Sequence, residues 1–179
     1  MPGDITLIIG PMHSCKTTSL LNLGKRFQLA GKKILYIKPS IDTRGKYILT
    51  HDNVEKECLV VNNLSDIDVK LINEYDVVAI DEIQFFIEAV EFCDKVANMG
   101  KKVICSGLNG DFQRNTFDVI GKLISKAENI IKLSAVCVGC GSDSSFTHRK
   151  DSNNKDLIDV GGSNKYEPLC RECFNSKNK

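Results

Sequence analysis

Two runs of this 179-residue chain carry groups suited to phosphate chemistry: "IIGPMHSCKTT" at 8–18 and "DVVAIDE" at 76–82. Residues 10–17 approximate the pattern G-x-x-x-x-G-K-[ST], with Cys15 standing where the second glycine belongs. In such a loop, backbone N–H groups and a helix N-terminus surround phosphate oxygens. Lys16 would reach the β- and γ-phosphates, and the Thr17 hydroxyl would ligate magnesium. Taken alone, the imperfect pattern leaves open a plain turn at Gly10–Pro11 followed by a solvated helix start. The second run shifts the balance. Val77 to Ile80 read as a buried strand whose end presents two carboxylates, Asp81 and Glu82. Phosphoryl transfer needs one carboxylate to hold hydrated magnesium and a base or positioning group for the attacking hydroxyl. Adjacent residues of an extended chain point to opposite sides, so the two acids are expected to do different jobs. A helix cap is the plainer use of such a pair.

A second chemistry resides in the cysteines. Cys137-x-x-Cys140 and Cys170-x-x-Cys173 form two knuckles separated by residues 141–169. Two such pairs place four sulfurs around Zn²⁺, and a closed four-cysteine site is structural rather than catalytic. Redox-active pairs are the rival reading, but neither pair opens a helix after a βαβ strand. The other four, Cys15, Cys58, Cys93 and Cys105, show no paired spacing; Cys93 and Cys105 read as small core residues. Between the knuckles, Gly161-Gly162 suits either a hairpin or close backbone approach to a ligand. Tyr166 suits either a ligand cover or the filling of the zinc unit.

These groups need a scaffold. "ITLIIG" is an apolar run ending in glycine, as expected of a strand buried on both faces. A helix follows from Lys16 to Ala30, stopped by Gly31. "KKILYIKP" is a second strand, "SIDTRGKYILTHDN" a long polar connection and "KECLVV" a short strand. Ser65 is the expected cap of a helix in "SDIDVKLINEY". Then come "DVVAIDE", a helix near Glu88–Asn98, the strand "KKVICSG", a helix near Phe117–Lys126 and a last core strand, "IIKLSAVC". This alternation implies a mainly parallel sheet with helices on both faces. After Val136, cysteine, glycine and polar residues take over. The division expected is a nucleotide-binding α/β domain over 1–136 and a four-cysteine zinc domain with a lasso-like loop over 137–179.

Charge is nearly balanced, with 24 basic and 23 acidic residues, which argues against a nucleic-acid or membrane partner. No apolar run has the length of a membrane span. The start "MPGDITLIIG" lacks a basic region and runs straight into a strand, so a cytoplasmic protein with reduced thiols is expected.

The motifs together resemble the type II (cellular-type) thymidine kinases along nearly the whole chain. The resemblance rests on "IIGPMHSCKTT", "DTR" at 42–44, "THD" at 50–52, "DEIQFF" at 81–86, "VEFC" at 90–93 and "GDFQR" at 110–114. It continues through "KLSAVCVGC" at 132–140 and "VGGSNKY" at 160–166. It implies a P-loop (RecA-like) α/β fold with a small C-terminal zinc-binding domain and a long substrate-covering loop. It implies ATP-dependent 5′-phosphorylation of thymidine and deoxyuridine, with Mg²⁺ accompanying ATP and a structural Zn²⁺. Glu82 matches the base that takes the 5′-hydroxyl proton. Gly10, Pro11, Met12, His13, Ser14, Cys15, Lys16, Thr17, Asp42, Arg44, Asp81 and Gln84 match the ATP and magnesium positions. Met12, Phe85, Leu108, Phe112 and Phe117 match residues around the thymine ring; Val160, Gly161 and Tyr166 match the loop closing over it. The resemblance further implies a homotetramer and feedback inhibition by thymidine triphosphate. Departures are Cys15 for glycine, His13 for an aromatic, Ile83 for glycine and Asp111 for threonine. Two alternatives remain: a zinc-ribbon P-loop ATPase acting on DNA, and an ATP-binding pseudokinase suggested by Cys15. The lack of a basic stripe with interleaved aromatics counts against the first.

Overall fold

The computed structural model describes residues 3–42, 45–50, 54–151 and 164–177. Arg44, Val160 and Gly161 lie outside them. The chain begins β1 (Asp4–Gly10), α1 (Lys16–Leu29) and β2 (Ile34–Pro39), then β3 (Tyr47–Leu49), β4 (Glu55–Glu57) and β5 (Leu59–Val61). Next are α2 (Val69–Asn73), β6 (Val77–Ile80), α3 (Ala89–Asn98), β7 (Lys102–Leu108), α4 (Asp118–Ile124) and β8 (Asn129–Lys132). The C-terminal region holds β9 (Ala135–Val136), β10 (Asp143–Ser144), β11 (Phe146–Arg149), β12 (Tyr166–Leu169) and α5 (Arg171–Lys177). Among the described residues, six strands form one sheet in the order β5–β2–β6–β7–β1–β8, every pairing parallel.

The period-2 alternation of the strands decides which helix covers which face. Ile5, Leu7 and Ile9 of β1, with Val78 and Ile80 of β6, face the side packed by Ala89, Val90, Phe92, Cys93 and Val96 of α3 and by Ile120 and Leu123 of α4. Ile8, Val77, Ala79 and Ile104 face the other side, where Leu20 of α1 and its neighbours Leu21, Leu23 and Phe27 pack. Cys93 and Cys105 are buried in the first layer, as their spacing suggested. Continuous apolar strands therefore mark a sheet covered on both faces.

Local differences from the sequence reading have physical causes. The helix expected from Ser65 begins at Val69 instead, with the Asp68 carboxylate accepting the Lys70 N–H at 2.9 Å. Leu64 and Ile67 both turn into the core, which breaks the helix into a 3-10 turn and a short α2. The helix expected near Glu88–Asn98 is α3 with Glu88 as its N-cap: the Glu88 carbonyl accepts the Phe92 N–H at 3.0 Å, while its carboxylate accepts the Leu64 N–H at 2.6 Å. "SIDTRGKYILTHDN" is not all loop, because β3 pairs antiparallel with β4. "IIKLSAVC" splits in two. β8 pairs with Thr6–Ile9, Leu133 N–H reaches Ile9 O at 2.8 Å, and the chain then turns so that β9 pairs with β10. α1 ends at Leu29, with Gly31 at φ 76 supplying the left-handed turn.

Candidate active site

The C-terminal ends of β1, β7 and β6 lie side by side, and loops at this edge of an open α/β sheet are where such folds bind ligands. β1 ends at Gly10 and α1 starts at Lys16, so Pro11–Cys15 make the whole connection. His13 and Cys15 take left-handed backbone conformations, at φ 62 and φ 59. Ser14 Oγ donates to Pro11 O at 2.8 Å, and Lys16 Nζ donates to the same carbonyl at 2.7 Å. The lysine thus folds back over the loop. Met12 N–H donates to Thr147 Oγ1 at 3.0 Å, tying the loop to β11.

Asp81 is the most constrained acid of the edge. It is 3 % exposed, accepts the Thr17 hydroxyl at 3.0 Å and also accepts the Ser106 hydroxyl. Burial, and then the charge of Glu82, pushes its carboxyl up to about 6. Burial likewise lowers the Lys16 ammonium, with Glu82 and Asp81 opposing that shift.

Glu82 differs from its sequence expectation. The strand ends at Ile80, and Glu82 sits at φ 52 and ψ 43, so the acids separate through a left-handed turn rather than by strand alternation. Gln84 Nε2 donates to Glu82 Oε2 at 2.7 Å, while Gln84 Oε1 accepts the Leu108 N–H at 3.1 Å. Gln84 is therefore a brace between the acid and the end of β7. Only glycine at 107 leaves room for it. A Cβ there would lie 2.7 Å from Gln84 Oε1 and 2.8 Å from Ile83 Cγ2.

Asp42 is buried beside Lys38, a wholly buried lysine whose Nζ lies 3.5 Å from Asp42 Oδ2 and donates to Tyr47 O at 3.0 Å. Of the apolar candidates, Leu108 ends β7 and Phe117 precedes α4 while packing against the core. Met12, Phe85 and Phe112 are half-buried, and Tyr166 is buried on β12. Phe112 and Tyr166 meet through Arg149. Its guanidinium lies 3.9 Å from the Phe112 ring centroid, and its Nη2 donates to Tyr166 Oη at 2.9 Å.

The four paired cysteines converge, with all four sulfurs within 4.8 Å of one another. Backbone N–H groups of Cys170, Gly139 and Cys140 bring the Cys137 thiol down to about 6. Contacts with Cys170, Cys137 and Cys140 push Cys173 up to about 12. Four thiolates without a cation repel one another, so the last is the hardest to ionise. Four soft sulfur donors gathered this closely fit zinc.

A family model described as thymidine kinase matches residues 3–174. The chain belongs to the thymidine kinase family. It is 46% identical over 181 residues to the thymidine kinase of Amsacta moorei entomopoxvirus, covering 97% of this chain and 98% of that one. It is 43% identical over 178 residues to the thymidine kinase of Fowlpox virus (strain NVSL), covering 96% and 97%. Against thymidine kinase 1 of Dictyostelium discoideum, identity is 44% over 181 residues, covering 97% of this chain and 78% of that one. Among solved structures, the flagellar accessory protein FlaH from Methanocaldococcus jannaschii has a similar fold, with TM-score 0.57, 13% identity and coverage of 80% and 76%.

Four residues of the site region escaped the sequence reading. Lys38 closes an apolar strand before Pro39, where a lysine has reason to stay only if its charge is paired. Ser106 ends the run "VICS" at the same sheet edge, a usable but weak signal. Thr147 and Arg149 lie on β11, which no periodicity announced.

Proposed function

We propose that this member of the thymidine kinase family transfers the γ-phosphoryl group of ATP to the 5′-hydroxyl of thymidine or deoxyuridine, with Glu82 as base. The observation that carries the assignment of roles is the pairing of a buried, doubly hydrogen-bonded Asp81 with a half-buried Glu82 braced by Gln84. The two acids occupy different environments, as separate roles in one reaction require. Glu82 removes the hydroxyl proton as the new O–P bond forms, and the bond to the β,γ-bridging oxygen breaks to release ADP. Lys16 and the Pro11–Cys15 backbone hold the phosphates. Asp81 and Thr17, with oxygens 3.0 Å apart, would hold magnesium, which when bound neutralises charge on the β- and γ-phosphates. Asp42 and Arg44 serve the nucleotide side. Met12, Phe85, Leu108, Phe112, Phe117, Val160, Gly161 and Tyr166 form the base pocket.

The same reading assigns residues 1–136 to the nucleotide-binding unit and 137–179 to a unit organised by structural zinc on Cys137, Cys140, Cys170 and Cys173. A homotetramer, feedback inhibition by thymidine triphosphate and action in the cytoplasm complete it. Among the described residues no helix is long and apolar enough to cross a membrane.

Incubation of the purified protein with Mg-ATP and a nucleoside panel tests the substrate. Phosphorylation confined to thymidine and deoxyuridine is expected. DNA-stimulated hydrolysis, or binding without turnover, overturns it. Glu82→Gln tests the base: kcat should fall roughly 10²–10⁴-fold while ATP and thymidine still bind. A near-normal kcat moves the role to another group.

A further inference from the structure

Arg149 is a charged side chain that is 5 % exposed, in a region whose described residues form only a small apolar cluster of their own. Burying a guanidinium costs free energy unless its charge and donors are matched. Two aromatic rings supply part of that matching. The guanidinium lies 3.9 Å from the Phe112 ring centroid and 5.4 Å from that of Tyr166, with Nη2 donating to the Tyr166 hydroxyl at 2.9 Å. Arg149 and Tyr166 are also a register pair of the β11–β12 hairpin, so the backbone fixes the guanidinium relative to the phenol. Phe112 comes from elsewhere. It sits in the β7–α4 connection, beside an Asx-type turn in which Asp111 Oδ1 accepts the N–H of Gln113 and of Asn115, each at 2.8 Å. That turn shapes the loop backbone, and the guanidinium is what meets the ring.

We propose that Arg149 is a positioning residue for the nucleoside base, acting through Phe112 and Tyr166; the inference rests on the assignment of those two rings to the base pocket. Arginine suits the task because its flat face stacks on one ring while its edge donates to the other. Lysine offers a point charge and cannot do both at once. The residue holds two walls of the pocket, from two separate segments, at a fixed spacing. Its loss therefore falls on nucleoside affinity, and not on the phosphate edge built from Lys16, Thr17, Asp81 and Glu82.

The test compares wild type, Arg149→Met, Arg149→Lys, Tyr166→Phe and the Arg149→Met/Tyr166→Phe double variant. The readouts are KM for thymidine, KM for ATP, kcat and zinc content. Arg149→Met should raise the thymidine KM about tenfold and leave kcat and the ATP KM within about twofold. Arg149→Lys should recover little of that affinity. Tyr166→Phe should raise the KM about threefold, and the double variant should be no worse than Arg149→Met alone, because one arrangement is lost in both. Wild-type KM in Arg149→Lys, additive effects in the double variant, or equal loss of kcat and both affinities in Arg149→Lys overturns the proposal. Should Arg149→Met fail to fold, Arg149→Lys and Tyr166→Phe decide it. A wild type inactive on every nucleoside overturns the substrate reading and this inference together. An active wild type with unmoved thymidine KM in the variants overturns the inference alone.

Discussion

Cys15 holds the left-handed conformation, φ 59 and ψ 31, immediately before α1, with its side chain exposed. A non-glycine residue there carries about 1–2 kcal/mol of strain. Glycine would relieve that strain but adds roughly 1 kcal/mol of backbone entropy to be lost on folding, so stability should barely change. The difference should appear in the loop's fit to phosphate. Cys15→Gly is expected to lower the ATP KM roughly threefold and leave the thymidine KM unchanged in steady-state kinetics. An unchanged ATP KM means that the loop has adapted to cysteine. At Asp81 the sign of the pH effect follows from burial. Its folded carboxyl is raised to about 6 from 3.8, so between these values the folded state binds more protons than the unfolded one. Stability carried by this group is present below about pH 4 and is lost as pH rises through about 6. Asp81→Asn is free of that loss. Thermal melts of the ligand-free protein should show the variant gaining on wild type by up to about 3 kcal/mol between pH 4 and 7. A gap that does not widen with pH removes desolvation as the cause of the shift. That Lys16, Thr17, Asp81 and Glu82 meet at one sheet edge was legible from their spacing. The turn that separates the two acids was not, because a strand-end motif does not reveal where the extended backbone stops.

At the scale of elements, the acid edge depends on how β6 and β7 are braced. Gly107 lies in β7 beside Gln84, and Gln84 links the Leu108 N–H to the Glu82 carboxylate. Gly107→Ala places a methyl 2.7 Å from Gln84 Oε1, and also 3.1 Å from Ile120 Cδ1 on α4. Overpacking of this kind costs about 1–3 kcal/mol. Gln84 and Ile83 must yield, and Gln84 is the side chain holding the proposed base. Expected outcomes are a melting temperature lower by several degrees and a kcat reduced 10- to 100-fold, roughly the effect of a small misplacement of a catalytic group. ATP affinity should change little. Full kcat in a destabilised variant shows that Gln84 does not position Glu82. The sheet itself was readable because each strand is a short apolar run punctuated by glycine or polar residues. What escaped were the elements set by tertiary demands. Leu64 and Ile67 claim core positions and break the helix expected after Ser65, with the Glu88 carboxylate accepting the Leu64 N–H. β3 and β4 were hidden in a polar stretch because a two-stranded ribbon over a half-buried surface has little hydrophobic signature.

Across the whole molecule, apolar packing is unevenly distributed. Among the described residues, the sheet has dense clusters on both faces, whereas the C-terminal region's own buried cluster comprises Cys137, Leu169 and Phe174, with Phe146, Cys170 and Cys173 packed against it. So small a cluster calls for a further constraint, and metal ligation supplies it where ligands converge. Among the described residues, several contacts tie the region to the proposed site. Thr147 accepts the Met12 N–H, Arg149 stacks on Phe112, and Arg114, at φ 71, lies 4.9 Å from the Phe174 ring and 5.6 Å from that of Phe146. Each links a β11, β12 or α5 residue to a loop at the C-terminal edge of the sheet. Metal loss should therefore release the nucleoside side of the site first, while the sheet keeps its own core. Elemental analysis of protein purified reduced and without chelator should give one zinc per chain. Chelation, or Cys173→Ser, should raise the thymidine KM about tenfold or more, leave ATP binding largely intact and split thermal unfolding into a low and a high transition. Hydrogen exchange should locate the low transition in β11, β12 and α5, with β1, β6 and β7 still protected. A single cooperative melt after chelation, with ATP and thymidine binding lost together, would instead make the cysteine cluster a support for the entire sheet. A Cys173→Ser variant that retains both its zinc and its thymidine affinity removes the sulfur set from the argument altogether.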